Sequence, residues 1–375
     1  MNVLVAGDYC PRNRIQPLFD KEEYAPVLSE AKKVIEKSDY SIVNFECPVV
    51  IKNASPITKQ GPNLKTNANG LKGIKYAGFD CVSLANNHFY DFGESGVDDT
   101  LDTLKQLKID FCGGGKDIFQ ASQILYKNIN GEHLAVINCC EHEFSIADTL
   151  HGGSNPLNPI QQFYAITEAR KKAEYVLVIT HGGHEFYQLP SPRMKETYRF
   201  FIDAGADAVV NHHQHCYSGY EIYKGKPIFY GLGNFLFDIE PIVTDSSWNY
   251  GYMTELRFNN DKVDFALHPY LQCGENASVK MLASDAFGTK LSELNSIITN
   301  DDLLNKATED FYSKTCRMWG RIMEPVFHHY YFAAMERGLV PSLISKNRKL
   351  CAENFICCES HRDKLIYFLN KTIKQ

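Results

Sequence analysis

The chain has 375 residues, 44% of them hydrophobic and 22% charged, with a net charge of −6 at neutral pH. This is the composition of a globular protein with room for one large α/β domain and an appendage, and it excludes collagen-like, coiled-coil and disordered classes. A mildly acidic chain without a basic block gives no electrostatic reason to expect nucleic acid, and no apolar run approaches the roughly 18 residues of a membrane helix, so no direct membrane insertion is expected.

From the amino terminus, Met1 leads within one residue into an apolar run. No basic leader and no apolar core of about 7–15 residues precedes it, which makes a cytoplasmic protein the expectation. The runs at 3–6, 41–45, 81–85, 175–180 and 207–210 are β-rich and nearly continuous in apolar residues, as strands buried on both faces are. Between them lie helical patterns. Val97, Leu101, Leu104 and Leu107 share one face after Gly93-Glu94, and Met194, Tyr198 and Phe201 share another after Pro192. Strands alternating with helices predict a layered α/β domain. From Tyr217 to about Leu282, strand follows strand, with Lys224-Gly225 and Asn259-Asn260-Asp261 as turns. Beyond Ala283 the pattern is helical, punctuated by Pro325 and Pro341 and closed by the stripe Leu365, Leu369, Ile373. A main domain over 1–283 and a helical appendage over 284–375 are expected. The twelve cysteines are scattered without Cys-x-x-Cys spacing, which predicts reduced, mostly buried thiols.

Each of the five strand patterns ends in residues able to bind metal. Asp8 follows the first and Glu46 the second. Asn86-Asn87-His88 follows the third, His181 and Glu185 the fourth, and Asn211-His212-His213-Gln214-His215 the fifth. Ligands in open α/β sheets sit beyond the carboxyl ends of the strands, so these groups are expected to gather at one end of a sheet. Singly, each fragment is ordinary: a turn, a cap, a surface histidine run. Five at the same topological position are a pattern. Carboxylate, amide oxygen and imidazole together suit Zn²⁺, Mn²⁺ or Fe²⁺, and the lack of cysteine ligands argues against a structural zinc. Asp8, Glu46, Asn87, His181, His213 and His215 exceed the needs of one tetrahedral ion. Two divalent ions roughly 3.5–4 Å apart, sharing one carboxylate, would use them all and clamp the oxygens of a displacement at phosphorus. The chemistry implied is hydrolysis.

Other residues carry two readings. Glu185 either steadies a ligand histidine or begins a helix. Lys59, Asn63 and Lys65 sit in a Gly-Pro-interrupted loop suited to an anionic substrate, although solvated surface lysines are commoner. His184 either lines the site or, more commonly for a loop histidine, faces solvent. Phe327, Tyr330 and Tyr331 read as helical core, and His328-His329 lacks the i, i+4 spacing of a metal pair.

The order Gly7-Asp8, Asn44-Phe45-Glu46-Cys47-Pro48, Ala85-Asn86-Asn87-His88-x-x-Asp91-Phe92-Gly93, His181-Gly182-x-x-Glu185, Gly205-Ala206-Asp207, His212-His213-x-His215 and Gly231-x-Gly233-Asn234-Phe235 resembles the CapA family. That family is the poly-γ-glutamate capsule biosynthesis branch of the calcineurin-like metallophosphoesterases. The resemblance runs from residue 2 to about 240 and does not reach the helical C-terminus. It implies an α/β fold, the calcineurin-like four-layer α/β/β/α sandwich, here with a helical C-terminal extension. It also implies roles: Asp8 and His215 on a metal A, Asn87, His181 and His213 on a metal B, Glu46 bridging, and His88 as an outer-sphere acid. Broader phosphoesterases carry Asp-x-His in the first motif. Cys10 stands at that histidine's position, so site A is expected to be weaker, thiolate-bearing or empty. The expected function is a metal-dependent hydrolase acting on a phosphoester of a small molecule or anionic polymer. The rivals are a component of capsule-polymer synthesis, partnered by other synthesis proteins, and a non-catalytic polymer-binding scaffold.

Overall fold

The computed structural model describes residues 1–51, 53–260, 262–315, 334, 337–341 and 345–373. Pro325, Phe327, His328, His329, Tyr330 and Tyr331 lie outside the described residues. In chain order the strands are β1 (Asn2–Cys10), β2 (Tyr40–Phe45), β3 (Cys81–Ser83), β4 (Asp110–Cys112), β5 (Gly114–Gly115), β6 (Leu125–Ile129), β7 (Glu132–Cys140), β8 (Gly153–Ser154), β9 (Tyr175–His181), β10 (Ala208–His212), β11 (Tyr220–Tyr223), β12 (Lys226–Phe229), β13 (Asn234–Phe237), β14 (Tyr250–Asn259), β15 (Lys262–Gln272) and β16 (Val279–Met281). The helices are α1 (Gln16–Asp20), α2 (Ala25–Ile35), α3 (Ala68–Ala77), α4 (Gly93–Leu107), α5 (Ile118–Ala121), α6 (Pro159–Arg170), α7 (Pro192–Ala204), α8 (Gly288–Thr299), α9 (Asp301–Thr315), α10 (Lys346–Cys357) and α11 (Glu359–Ile373).

The alternation of side chains along β1 shows how the layers form. Val3 and Val5 join one apolar cluster with residues of β7, β9, β10, α6 and α7. Leu4 and Ala6 join another with Phe19, Leu28, Leu71, Ile74, Val97 and Leu101 of α1–α4. A strand buried on both faces in this way needs apolar residues at every position, which is why its sequence does not alternate. One sheet runs β16-β15-β14-β1-β2-β3-β4, with β13 also pairing β1, and the other runs β11-β12-β10-β9-β7-β6. Helices α1–α4 cover the first sheet and α6–α7 the second, giving the four-layer α/β/β/α sandwich.

One expectation needs correction. The five metal-binding strand ends do not share a sheet: β1, β2 and β3 belong to the first, β9 and β10 to the second. Parallel pairing within each sheet points these ends into the cleft where the two sheets meet. Apolar continuity marks a strand as buried but cannot say which of two stacked sheets it joins. The strand β7, which pairs parallel with β9, was not expected.

Beyond residue 284 the first helix is α8, from Gly288, and Phe287, Leu291, Leu294, Ile298 and Leu304 belong to the main apolar cluster. Helices α10 and α11 share a small cluster of their own around Phe355 and Leu365. Polar contacts fasten α11 to the body: Arg193 bonds Glu141 at 2.6 Å and Asp363 at 2.8 Å, and His142 Nδ1 bonds Glu359 at 2.6 Å. Among the described residues no helix is long and apolar enough to cross a membrane, and every cysteine is a free thiol.

Candidate metal centre

The site begins with an irregularity in β1. Pairing with β2 shifts register between Ala6 and Asp8, and such a bulge re-aims the side chain that follows it. Gly7 makes this possible: a Cβ there would stand 1.9 Å from the Gly233 carbonyl oxygen, which accepts from the Asp8 amide at 3.1 Å. At the end of β10 the backbone is strained, with positive φ at His213 (93°) and His215 (55°). Such conformations persist only where the surroundings hold them. Asn211 does so: its Nδ2 donates to the carbonyls of Gly182, His212 and Tyr230, while Thr180 and Tyr198 hydroxyls donate to its Oδ1.

These elements bring the six expected ligands together. Two groups of metal-type donors form, Asp8–Glu46–His215 and Glu46–His181–His213, and Glu46 belongs to both. Glu46 Oε1 lies 3.6 Å from His181 Nε2 and 3.6 Å from His215 Nε2. His181 Nε2 lies 3.0 Å from Asn87 Oδ1 and 3.1 Å from His213 Nδ1, and one donor atom each of Asp8, Glu46 and His215 lie within 4.8 Å of one another. Donors spaced this way are edges of a coordination shell with bonds of roughly 2.0–2.2 Å. Asp8 and Glu46 are wholly buried, yet both Glu46 oxygens and Asp8 Oδ2 lack hydrogen-bond partners. Two buried carboxylates left so are costly unless a cation completes them, so the donor set fits a pair of divalent ions.

Electrostatics agrees. Burial alone would raise the Asp8 carboxyl, but His212 and His215 together hold it well below its usual range. Burial and then the Asp8 charge push Glu46 well up. Burial, then neighbouring His213, holds His181 well below the usual imidazole value, in the neutral form that ligates.

Several supporting residues escaped the sequence reading. Asn44 Nδ2 donates to Asp8 Oδ1 at 2.8 Å. Asn234 Oδ1 lies 2.9 Å from His215 Nδ1, and accepting there leaves Nε2 for a metal. Asn138 accepts from the Leu84 and Ala85 amides and donates to Ile179 O, stitching the two sheets beside the cleft. His212 is buried with Nδ1 3.3 Å from Asp8 Oδ1. Asn44, His212 and Asn234 stand within the motifs; their partners depend on the fold.

A cavity of about 320 Å³ opens over the centre, lined among others by Lys59, Asn87, His88, His184 and Glu185. His88 Nδ1 pairs with Asp91 at 2.7 Å, and Lys59 bonds the same carboxylate at 2.5 Å. Burial first and Lys59 second lower the His88 pKa, against the pull of Asp91. Glu185 is exposed to the cavity. Lys65 is placed elsewhere: it is exposed, with Nζ 5.2 Å over the Phe92 ring. His184 does not face solvent; it is buried against Tyr312, whose hydroxyl lies 2.9 Å from its Nε2. The aromatic helix that covers it could not be inferred from the local sequence. Cys10 is buried beside apolar residues and belongs to neither donor group.

An α/β/β/α sandwich with a shared-carboxylate donor pair at its facing strand ends defines the class: a protein with a candidate binuclear centre, as the calcineurin-like resemblance implied. The model of the family described as bacterial capsule synthesis protein PGA_cap matches residues 2–239, and the chain belongs to that family. It is 32% identical over 246 residues to the capsule biosynthesis protein CapA of Bacillus anthracis, covering 64% of this chain and 60% of the relative. It is 31% identical over 235 residues to the PGA biosynthesis protein CapA of Bacillus subtilis strain 168, covering 62% of each. The chain thus spans about three-fifths of the length of these curated relatives. A 5'-nucleotidase precursor from Thermus thermophilus is a distant structural likeness, with a TM-score of 0.45 and 10% identity over 78% of this chain and 57% of that one. All six expected ligands fall inside the family-matched segment; helices α8–α11 fall outside it.

Proposed function

We propose that this chain is a metal-dependent hydrolase that cleaves a phosphoester in a small molecule or anionic polymer, in the service of capsule-type polymer synthesis. The observation that carries this reading is Glu46: a wholly buried carboxylate, unbonded on both oxygens, shared between two donor groups. Divalent ions held there would lower the pKa of bound water and polarise phosphoryl oxygens. The chain's own contribution is position and a proton. Asp91 engages His88 Nδ1, which leaves Nε2 as the ring nitrogen for the cavity. Asp91 favours the protonated ring against burial and Lys59, and His88 in that form gives its proton to the departing oxygen. The capsule connection comes from the names of the relatives. A second reading, a capsule-assembly component that binds without turnover, is favoured by site A, where Cys10 supplies no donor and three protein ligands remain.

General acid help is typically worth about 10²–10⁴-fold. A nitrophenolate leaves without a proton and an alkoxide does not. In manganese-loaded protein, His88→Asn should therefore slow alkyl phosphates by about that factor while nitrophenyl phosphates and metal content change little. Equal slowing of both esters removes the acid role. No metal-dependent hydrolysis of either ester by the wild type sinks the hydrolase reading and leaves the binding one.

A further inference from the structure

Among the described residues one further set of side chains gathers donors of metal type. Glu143, Cys358 and His361 each offer one ligand atom, and the three atoms lie within 4.8 Å of one another. They come from two places in the fold. Glu143 follows β7, whose last residue is Cys140. Cys358 stands at the junction of α10 and α11, its carbonyl accepting from Arg362 N at 2.8 Å. His361 is three residues further, in the first turn of α11, and Cys358 is the extended residue that immediately precedes that helix. Burial differs among the three: Cys358 is 1% exposed, and the side chains of His361 and Glu143, 3.5 Å apart, are 23% and 7% exposed. Cys358 Sγ also donates to Glu141 Oε2 at 3.9 Å.

We propose that Glu143, Cys358 and His361 form a third divalent-cation site, set in the wall of the cavity beside the binuclear centre. Carboxylate oxygen, thiolate sulfur and imidazole nitrogen are a zinc-type donor set, and three protein ligands leave one tetrahedral position open. Glu143 and His361 line the same cavity as Asn87 and His88. The open position therefore lies within reach of a bound molecule, and its ligand is an anionic oxygen, carboxylate or phosphate, remote from the ester bond. Binding takes the thiol as thiolate, so the Cys358 proton goes to solvent as the ion enters. The ion also ties α11 to the segment after β7, across the contacts that His142 and Arg193 already make. Two of the three ligands lie beyond the family-matched segment. The site is an addition carried by this chain's C-terminal helices, distinct from the centre its family motifs build.

Thiolate ligation marks this site, because the binuclear donor groups contain no cysteine. Cobalt(II) bound by thiolate gives a sulfur-to-metal charge-transfer band in the near ultraviolet; cobalt bound by carboxylate and imidazole does not. The full chain, titrated with cobalt(II), should show this band. Cys358→Ser should abolish it and lose one equivalent of cobalt, with the visible bands of the binuclear centre retained. Cys10→Ser and Cys357→Ser should keep it. Absence of the band in the wild type, or its survival in Cys358→Ser, overturns the proposal. Should Cys358→Ser fail to fold, His361→Gln supplies the second variant: a weakened band supports the site and an unchanged titration refutes it. None of these readouts requires turnover, so failure of the hydrolase reading leaves the test of this site intact.

Discussion

His213 and His215 sit two residues apart on one strained loop, yet they serve different donor groups. His213 shares its group with Glu46, His181 and the nearby Asn87 oxygen, whereas His215 shares one with Glu46 and Asp8 alone. More donors hold an ion more tightly. His213→Ala should therefore abolish tight cation binding, while His215→Ala should cost only the weaker equivalent, as read by metal analysis after exhaustive dialysis. Equal loss in both variants would contradict the ordering. At this scale the sequence was most legible where chemistry and strand position coincide: all six candidate ligands follow apolar runs, and all six converge. It was least legible where a residue acts through another. Nothing in the local sequence says that Asn138, on an unexpected strand, stitches the two sheets, or that Lys65 turns toward Phe92 while Lys59 turns inward.

The helices show a similar division. Periodicity identified the buried faces of α4 and α7, whose Val97, Leu101, Met194 and Tyr198 are buried as expected. It could not say what those faces touch, so α8 looked like the start of an appendage although Leu291 and Leu294 enter the main cluster. The docking of α11 is more polar and carries a pH signature. Its hydrogen bond to Glu359 raises the His142 pKa above the usual 6.5, outweighing partial burial. A raised folded-state value means the stabilisation is complete below the unfolded pKa and is lost as pH rises through the folded one. Nearby groups do not confuse the window just above 6.5. Burial holds His361 below it, Glu141 is held low, its burial outweighed by Arg193, and burial lowers Lys364 only to about 8. In chelated protein, hydrogen exchange of the α11 amides, corrected for intrinsic rate, should therefore speed up as pH rises above about 6.5. Glu359→Gln should flatten that dependence. Protection that grows with pH would contradict this mode of docking.

Across the whole molecule, two sheets stacked face to face aim their parallel strands into one cleft, and the cleft's chemistry depends on neither sheet alone. Asp8 and Glu46 come from one sheet, His181 and the His213–His215 loop from the strand ends of the other. That division of labour explains why the fold and the site were legible together: the same five strand ends define both. It also explains the error about a single sheet, since strands buried on both faces have the same apolar pattern in either layer. The central claim is that one carboxylate, Glu46, is held in common by two cations, and electron paramagnetic resonance of the manganese-loaded protein tests it most directly. A magnetically coupled manganese pair is expected in the wild type and should be lost in Glu46→Gln; a spectrum of isolated manganese ions alone, or a coupled signal that persists without the Glu46 carboxylate, would contradict the shared ligand.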